Sequence, residues 1–174
     1  HQEFLRMLSS HWLEDIPLME KLAISTRYYM KGLSPAYWFI PNETDLPRHQ
    51  MDDYGHVWLA TSPLLLAGLM VLWRKIRQPE YRVLLAAALA IPMGGIVVGV
   101  GITRLLSMTI PLAIVTSLGT SALLLLISKK IPARFVSIGM FCILAFSNLV
   151  MMRQAITNGP TWEQDFGFGG MQYG

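Results

Sequence analysis

Residues 105–127 read LLSMTIPLAIVTSLGTSALLLLI. No side chain in this run ionises, and its length meets the about 20 apolar residues a helix needs to cross a hydrocarbon core of roughly 30 Å. Inside such a core every backbone N–H and C=O must be paired within the segment, so the run is expected to be a helix. Three further stretches pass the same test: Gly55–Trp73 (GHVWLATSPLLLAGLMVLW), Val83–Thr103 and Phe135–Met152. Apart from His56 at the first mouth and the thiol of Cys142, they too lack ionisable groups. The expected fold is therefore all-α integral membrane, with four transmembrane helices.

Composition agrees, since 53% of residues are hydrophobic and only 14% charged. That balance is too apolar for an ordinary soluble domain of this length. The net charge of +3 comes from short basic clusters between apolar runs. They form no extended basic surface, which argues against a nucleic-acid partner. One cysteine, Cys142, excludes an internal disulfide and a cysteine-based metal site. The chain opens at His1 without an initiator methionine and stops after a glycine-aromatic run. It reads as a fragment whose expected partners include the remainder of a parent polypeptide and membrane lipids.

Orientation follows from the connections. Arg74, Lys75, Arg77 and Arg82 crowd the first, Lys129, Lys130 and Arg134 the third, and Arg104 stands alone in the second. Basic residues collect on cytoplasmic loops, which places the first and third inside and both termini on the non-cytoplasmic side. Three regions result: an extracytoplasmic region 1–54, a four-helix transmembrane region 55–152 and an extracytoplasmic tail 153–174. The expected location is the plasma membrane of a prokaryote, or the endoplasmic reticulum membrane in a eukaryote.

In the outer region Phe4, Leu5, Leu8, Trp12 and Leu13 recur near helical spacing, and Leu18, Leu22 and Ile24 continue after Pro17. Amphipathic interfacial helices are expected there. Between Leu33 and Pro47 the prolines and mixed aromatics oppose a long helix and favour an ordered loop. Asn42-Glu43-Thr44 matches the N-glycosylation acceptor, a pattern common by chance. Pro63, Pro92 and Pro111 are expected to kink their spans. Gly95 and Gly99 form a small-xxx-small pair suited to close helix packing.

The densest polar cluster precedes the first span: His49, Asp52, Asp53 and His56 fall at i, i+3, i+4 and i+7 and would share one helical face. Such a set has two chemical readings, a divalent metal site or a general base at the interface. The plainer reading is a solvated helix mouth with Asp capping chemistry, and Gly55 weakens the helical premise. No metal or other cofactor is assigned, and these four are the residues a divalent ion would use. Arg104, on the same side, either binds a lipid-linked phosphate or snorkels to the headgroups. The tail WEQDFGFGGMQYG joins Glu163 and Asp165 to a glycine-aromatic run, readable as a loop over a cleft or as a flexible linker.

Residues 34–49 (SPAYWFIPNETDLPRH), 54–58 (YGHVW), 62–94 (SPLLLAGLMVLWRKIRQPEYRVLLAAALAIPMG) and Arg104 opening LLSMTIPLAIVTSLG together resemble the later part of the polytopic GT-C glycosyltransferases. The likeness is to the family 39 group, related to protein O-mannosyltransferases and bacterial lipid-linked sugar transferases, and DFGFGGMQYG is similar to a run after the last helices of some members. The resemblance implies transfer of a sugar from a polyprenyl-phosphate donor on the non-cytoplasmic side. It implies Arg104 on the donor phosphate, with Arg48, His49, Asp52, Asp53 and His56 along the sugar or acceptor cleft. The family's catalytic aspartate would lie in an earlier loop outside this chain, leaving the fragment alone inactive. The alternatives are a transport or channel module, which the lack of ionisable residues in the spans disfavours, and a non-catalytic membrane scaffold.

Overall fold

The structure, a computed structural model, describes residues 10–41, 45, 49 and 53–158, the last without its side chain. The regular elements among them are all helical: α1 (Leu18–Leu33), α2 (Pro35–Phe39), α3 (Ser62–Arg74), α4 (Pro79–Ala90), α5 (Ile102–Leu105), α6 (Thr109–Ile127) and α7 (Ala133–Asn158). Short 3-10 segments precede α3 (Leu59–Thr61), follow α4 (Ile91–Gly95) and join α5 to α6 (Leu106–Met108). Residues 102–127 thus form one helical rod.

Two rods are long and apolar enough to cross a membrane: Ile102–Ile127, with a mean hydropathy of 2.2, and Ala133–Thr157, with 2.1. Only 17% and 6% of their most apolar windows are buried within the protein. Their leucines, isoleucines and phenylalanines face outward along most of each rod, a surface that suits hydrocarbon better than water.

The other two expected spans give shorter helices. The first is apolar over Leu59–Arg74, which at 1.5 Å per residue covers about 24 Å. It starts late because residues 55–58 are engaged with α2 instead. The second breaks after Ala90, where Pro92 has no N–H for the helix and Gly94, Gly95, Gly99 and Gly101 follow. Gly99 has φ +116°, a conformation side-chain-bearing residues rarely adopt, and it faces the ring of Tyr28. The Gly95–Gly99 pair therefore makes a turn rather than a helix-packing ridge. Pro92 ends its helix, whereas Pro63 sits in the first turn of α3, where a missing N–H costs nothing.

Close helix packing occurs elsewhere. Where α3 meets α6, a Cβ on Gly68 would overlap the carbonyl oxygen of Val115, and one on Gly119 would overlap that of Leu64. The two backbones touch directly, an approach that only small residues permit.

The ends of the helices are sorted. α1 begins directly after Pro17, as the sequence pattern anticipates, and lies over the connection between α4 and α5. Tyr29 Oη donates to the Leu89 carbonyl (3.0 Å), and Gly32 packs against Pro92 and Leu105. Leu18, Met19, Leu22 and Met30 of α1 stay exposed. Trp12 and Leu13 belong to a 3-10 turn (His11–Leu13), while Phe4, Leu5 and Leu8 lie outside the described residues. At this same end the C-terminal part of α7 is tied back, Gln154 Nε2 donating to Asp53 Oδ2 (3.1 Å). The basic connections 74–82 and 129–134 join the opposite ends of the same helices.

The expected ordered loop after Leu33 contains a short helix, α2, opened by Pro35 in its first turn. Its Tyr37, Trp38 and Phe39 are all buried and form the core with Leu105 and Met108. The Trp38 indole donates to the Gly32 carbonyl (2.8 Å) and the Val57 amide to the Trp38 carbonyl (2.8 Å). Gly55 lies so close that a Cβ there would stand 2.5 Å from the Phe39 carbonyl carbon and 2.7 Å from the Trp38 oxygen. Backbone atoms cannot yield cheaply. Gly55→Ala is expected to cost about 1–3 kcal/mol, read as a lowered midpoint of thermal unfolding in detergent; an unchanged midpoint would contradict this packing.

Candidate functional site

The polar centre of the described chain is Asp45, only 7% exposed. Its Oδ1 accepts from the backbone N–H of Ile102 (2.8 Å) and from Tyr37 Oη (3.2 Å), and its Oδ2 pairs with His56 Nε2 at 2.8 Å. Ile102 opens α5, so the carboxylate caps the start of the 102–127 rod, where helix N–H groups have no partners of their own. Three segments distant in sequence are thereby joined: α2, the strip before α3 and the rod.

Burial pushes the Asp45 carboxyl up. The hydrogen bonds from His56, the Ile102 amide and Tyr37, together with the charge of His56, outweigh burial and hold it below the usual carboxylate range. The Tyr37 phenol moves the other way, raised first by burial, then by the charge of Asp45 and by the hydrogen bond it donates. The His56 ring packs against Tyr37 and Trp38, with centroids 5.1 and 6.1 Å away. A carboxylate with these partners is a weak proton acceptor, suited to holding geometry rather than to acting as a general base.

The expected helical face of His49, Asp52, Asp53 and His56 does not form among the described residues. Residues 53–58 run as turn and irregular chain with an isolated bridge at Tyr54, because Gly55 is pressed against α2. His56 turns inward to Asp45, Asp53 is exposed and accepts from Gln154, and His49 is half-buried. Arg48, Asp52, Glu163 and Asp165, like Asn42-Glu43-Thr44, lie outside the described residues. Among the described residues no three His, Cys, Asp or Glu side chains converge as a metal site.

Arg104 stands beside the Asp45 cluster. A Cβ on Gly101 would lie 3.4 Å from Arg104 Nη1 and 3.6 Å from Asp45 Oδ1, so both groups flank that glycine. Nη1 donates to the Gly99 carbonyl (3.3 Å), while the side chain as a whole is exposed. A guanidinium carries five N–H donors, which suits it to an oxyanion.

One helical turn beyond Arg104, Met108 lines an apolar cavity of about 210 Å³ between α3, α4 and α6, beneath α2. Leu33, Trp38, Leu69, Leu85 and Leu112 contribute to its wall. Such an apolar lining suits hydrocarbon better than water. Hydropathy does not reveal it, because its lining residues look like any others in an apolar run. Nor does sequence spacing single out Asp45, which stands eleven residues from His56. Comparison with family models, with curated proteins and with solved structures returned no match for this chain.

Proposed function

We propose that the chain is the lipid-handling part of a membrane glycosyltransferase, which transfers a sugar from a polyprenyl-phosphate donor to an acceptor on the non-cytoplasmic side. The observation that carries this reading is an exposed arginine one helical turn from an apolar cavity. A lipid phosphate has the same two halves, an anionic head and a hydrocarbon chain. In this reading Arg104 pairs with the donor phosphate and stabilises the charge left on it as the glycosidic bond breaks. The Asp45–His56–Tyr37 network holds the loop and the start of the rod that carries Arg104. The group that takes the acceptor's proton is not assigned to a residue described here.

The reading places all four apolar helical segments in the membrane. The 3-10 segment after α4 lengthens the second, since 3-10 geometry rises about 2.0 Å per residue. Arg74, Lys75, Lys129 and Lys130 are then cytoplasmic, and α1 lies along the outer surface with Leu18 and Leu22 towards lipid. The direct backbone contact of Gly68 and Gly119 favours a second reading, a rigid membrane scaffold with no chemistry of its own.

The test is sugar transfer from a polyprenyl-phosphate donor by the polypeptide that contains this chain. Arg104→Ala is expected to lower kcat/KM about ten- to hundredfold, with partial recovery in Arg104→Lys. Ala88 also lines the cavity, and Ala88→Phe, which fills it, is expected to raise KM for a long-chain donor and spare one with a truncated chain. Transfer that is indifferent to Arg104→Ala would leave the scaffold reading.

A further inference from the structure

The rod α7 carries a polar group where hydrocarbon is expected. Asn148 lies about 4–5 Å from the midpoint of the apolar stretch Ala133–Thr157, and its side chain is exposed. A carboxamide offers two N–H donors and an oxygen with two lone pairs. Nδ2 donates to the Leu144 carbonyl (2.7 Å), and no other hydrogen bond of this side chain is made among the described residues. The neighbouring Ser147, by contrast, is buried and returns its hydroxyl to Ile143. Asparagine is too short to reach the headgroups from this depth, so its remaining donor and acceptor lack partners as long as lipid is the neighbour.

We infer that α7 pairs with α7 of a second copy of this chain, through reciprocal hydrogen bonds between the two Asn148 side chains. The inference rests on the membrane reading given above. A carboxamide is its own complement: beside a two-fold axis along the membrane normal, each Asn148 donates to the other's Oδ1 and accepts in return. Copies of one chain share one orientation in the bilayer, so the paired helices are parallel. The surface around Asn148 fits such a seam, because Ile138, Phe141, Ala145, Asn148, Met152 and Ala155 recur at alternating spacings of three and four. All of them are exposed except Ala145, which is half-buried. The two alanines let the backbones approach, and the single polar position fixes the register.

The experiment uses the full chain, labelled with donor and acceptor fluorophores and reconstituted in phosphatidylcholine vesicles. Energy transfer is expected to report dimers. Asn148→Leu is expected to weaken dimerisation about tenfold, whereas Asn148→Gln retains it. In a Cys142→Ser background, Met152→Cys should cross-link readily with a copper oxidant, and the native Cys142, about 90° off the midline of the seam, should cross-link more slowly. A monomeric wild type, or dimers indifferent to Asn148→Leu, would overturn the pairing, as would cross-linking at Cys142 as fast as at residue 152. A charged maleimide separates this failure from failure of the membrane reading. Rapid labelling of Cys142 in vesicles means that α7 is not in the bilayer, whereas a monomer with protected Cys142 refutes only the dimer.

Discussion

Gly119→Leu is expected to separate α3 from α6 and to destabilise the protein by about 3 kcal/mol or more, at the upper end of what overpacking costs. At the crossing a Cβ on Gly119 already overlaps the Leu64 carbonyl oxygen, and one on Gly68 overlaps the Val115 carbonyl oxygen. Neither obstacle is a side chain that can swing away. A larger residue therefore moves a whole helix, and dispersion contacts along the entire interface weaken together. Because both glycines serve one crossing, Gly68→Ala and Gly119→Ala are expected to be non-additive. Once the first has parted the helices, the second finds room, and the double variant loses less than the sum. Reversible unfolding in mixed detergent micelles measures all four species of this cycle. Additive losses would mean that the two glycines act at separate contacts. Since α3 and α6 also wall the apolar cavity, donor affinity should fall in parallel if the cavity holds a lipid chain.

How much of this could be read in the sequence depends on the range of the interactions. The rods at 102–127 and 133–158 are legible because a long apolar run can satisfy its backbone only as a helix. The limits of the second are less so: the last helix continues past Met152 to Asn158. The run from Val83 looked equally apolar, yet hydropathy is blind to Pro92 and the four glycines after it, which exchange helix for a turn. The first span began late for a tertiary reason, the seating of Gly55 on α2. In the site, Arg104 is conspicuous as an isolated cation between apolar runs. His56 shares no helical face with Asp53, because residues 53–58 run as turn and irregular chain. Asp45 looked like one acidic residue among many in a loop. Only burial distinguishes it, and burial comes from Tyr37 and Trp38, whose own placement follows from the fold.

The second large effect is expected at Asp45. Asp45→Ala should cost about 3–5 kcal/mol, as removing one partner of a buried polar network does, because it takes away the hydrogen bonds to the Ile102 amide, the Tyr37 hydroxyl and His56 Nε2 at once. Against a typical total of about 5–15 kcal/mol, that loss frees the start of the 102–127 rod and with it Arg104. Asp45→Asn separates shape from charge. Its carboxamide oxygen can still accept from Ile102 and Tyr37, and its NH₂ can face His56 once that ring presents an unprotonated Nε2. The expected loss is smaller, about 1–2 kcal/mol. The pH dependence tells the two apart. The Asp45 carboxyl is held below its ordinary value, so the folded state binds this proton less readily than the unfolded one. Stability from this group is complete above about pH 4 and is lost as pH falls through the lower, folded value. Tyr37 is raised, so the unfolded chain releases its phenolic proton first, and stability declines as pH rises beyond about 10. Wild-type protein should therefore show a plateau bounded by an acid limb from Asp45 and an alkaline limb from Tyr37. Asp45→Asn should flatten the acid limb while Tyr37→Phe removes the alkaline one, as followed by thermal unfolding across pH in a non-ionic detergent. An acid limb unchanged in Asp45→Asn would mean that another carboxylate governs it, and that the Asp45 cluster does not hold this end of the molecule together.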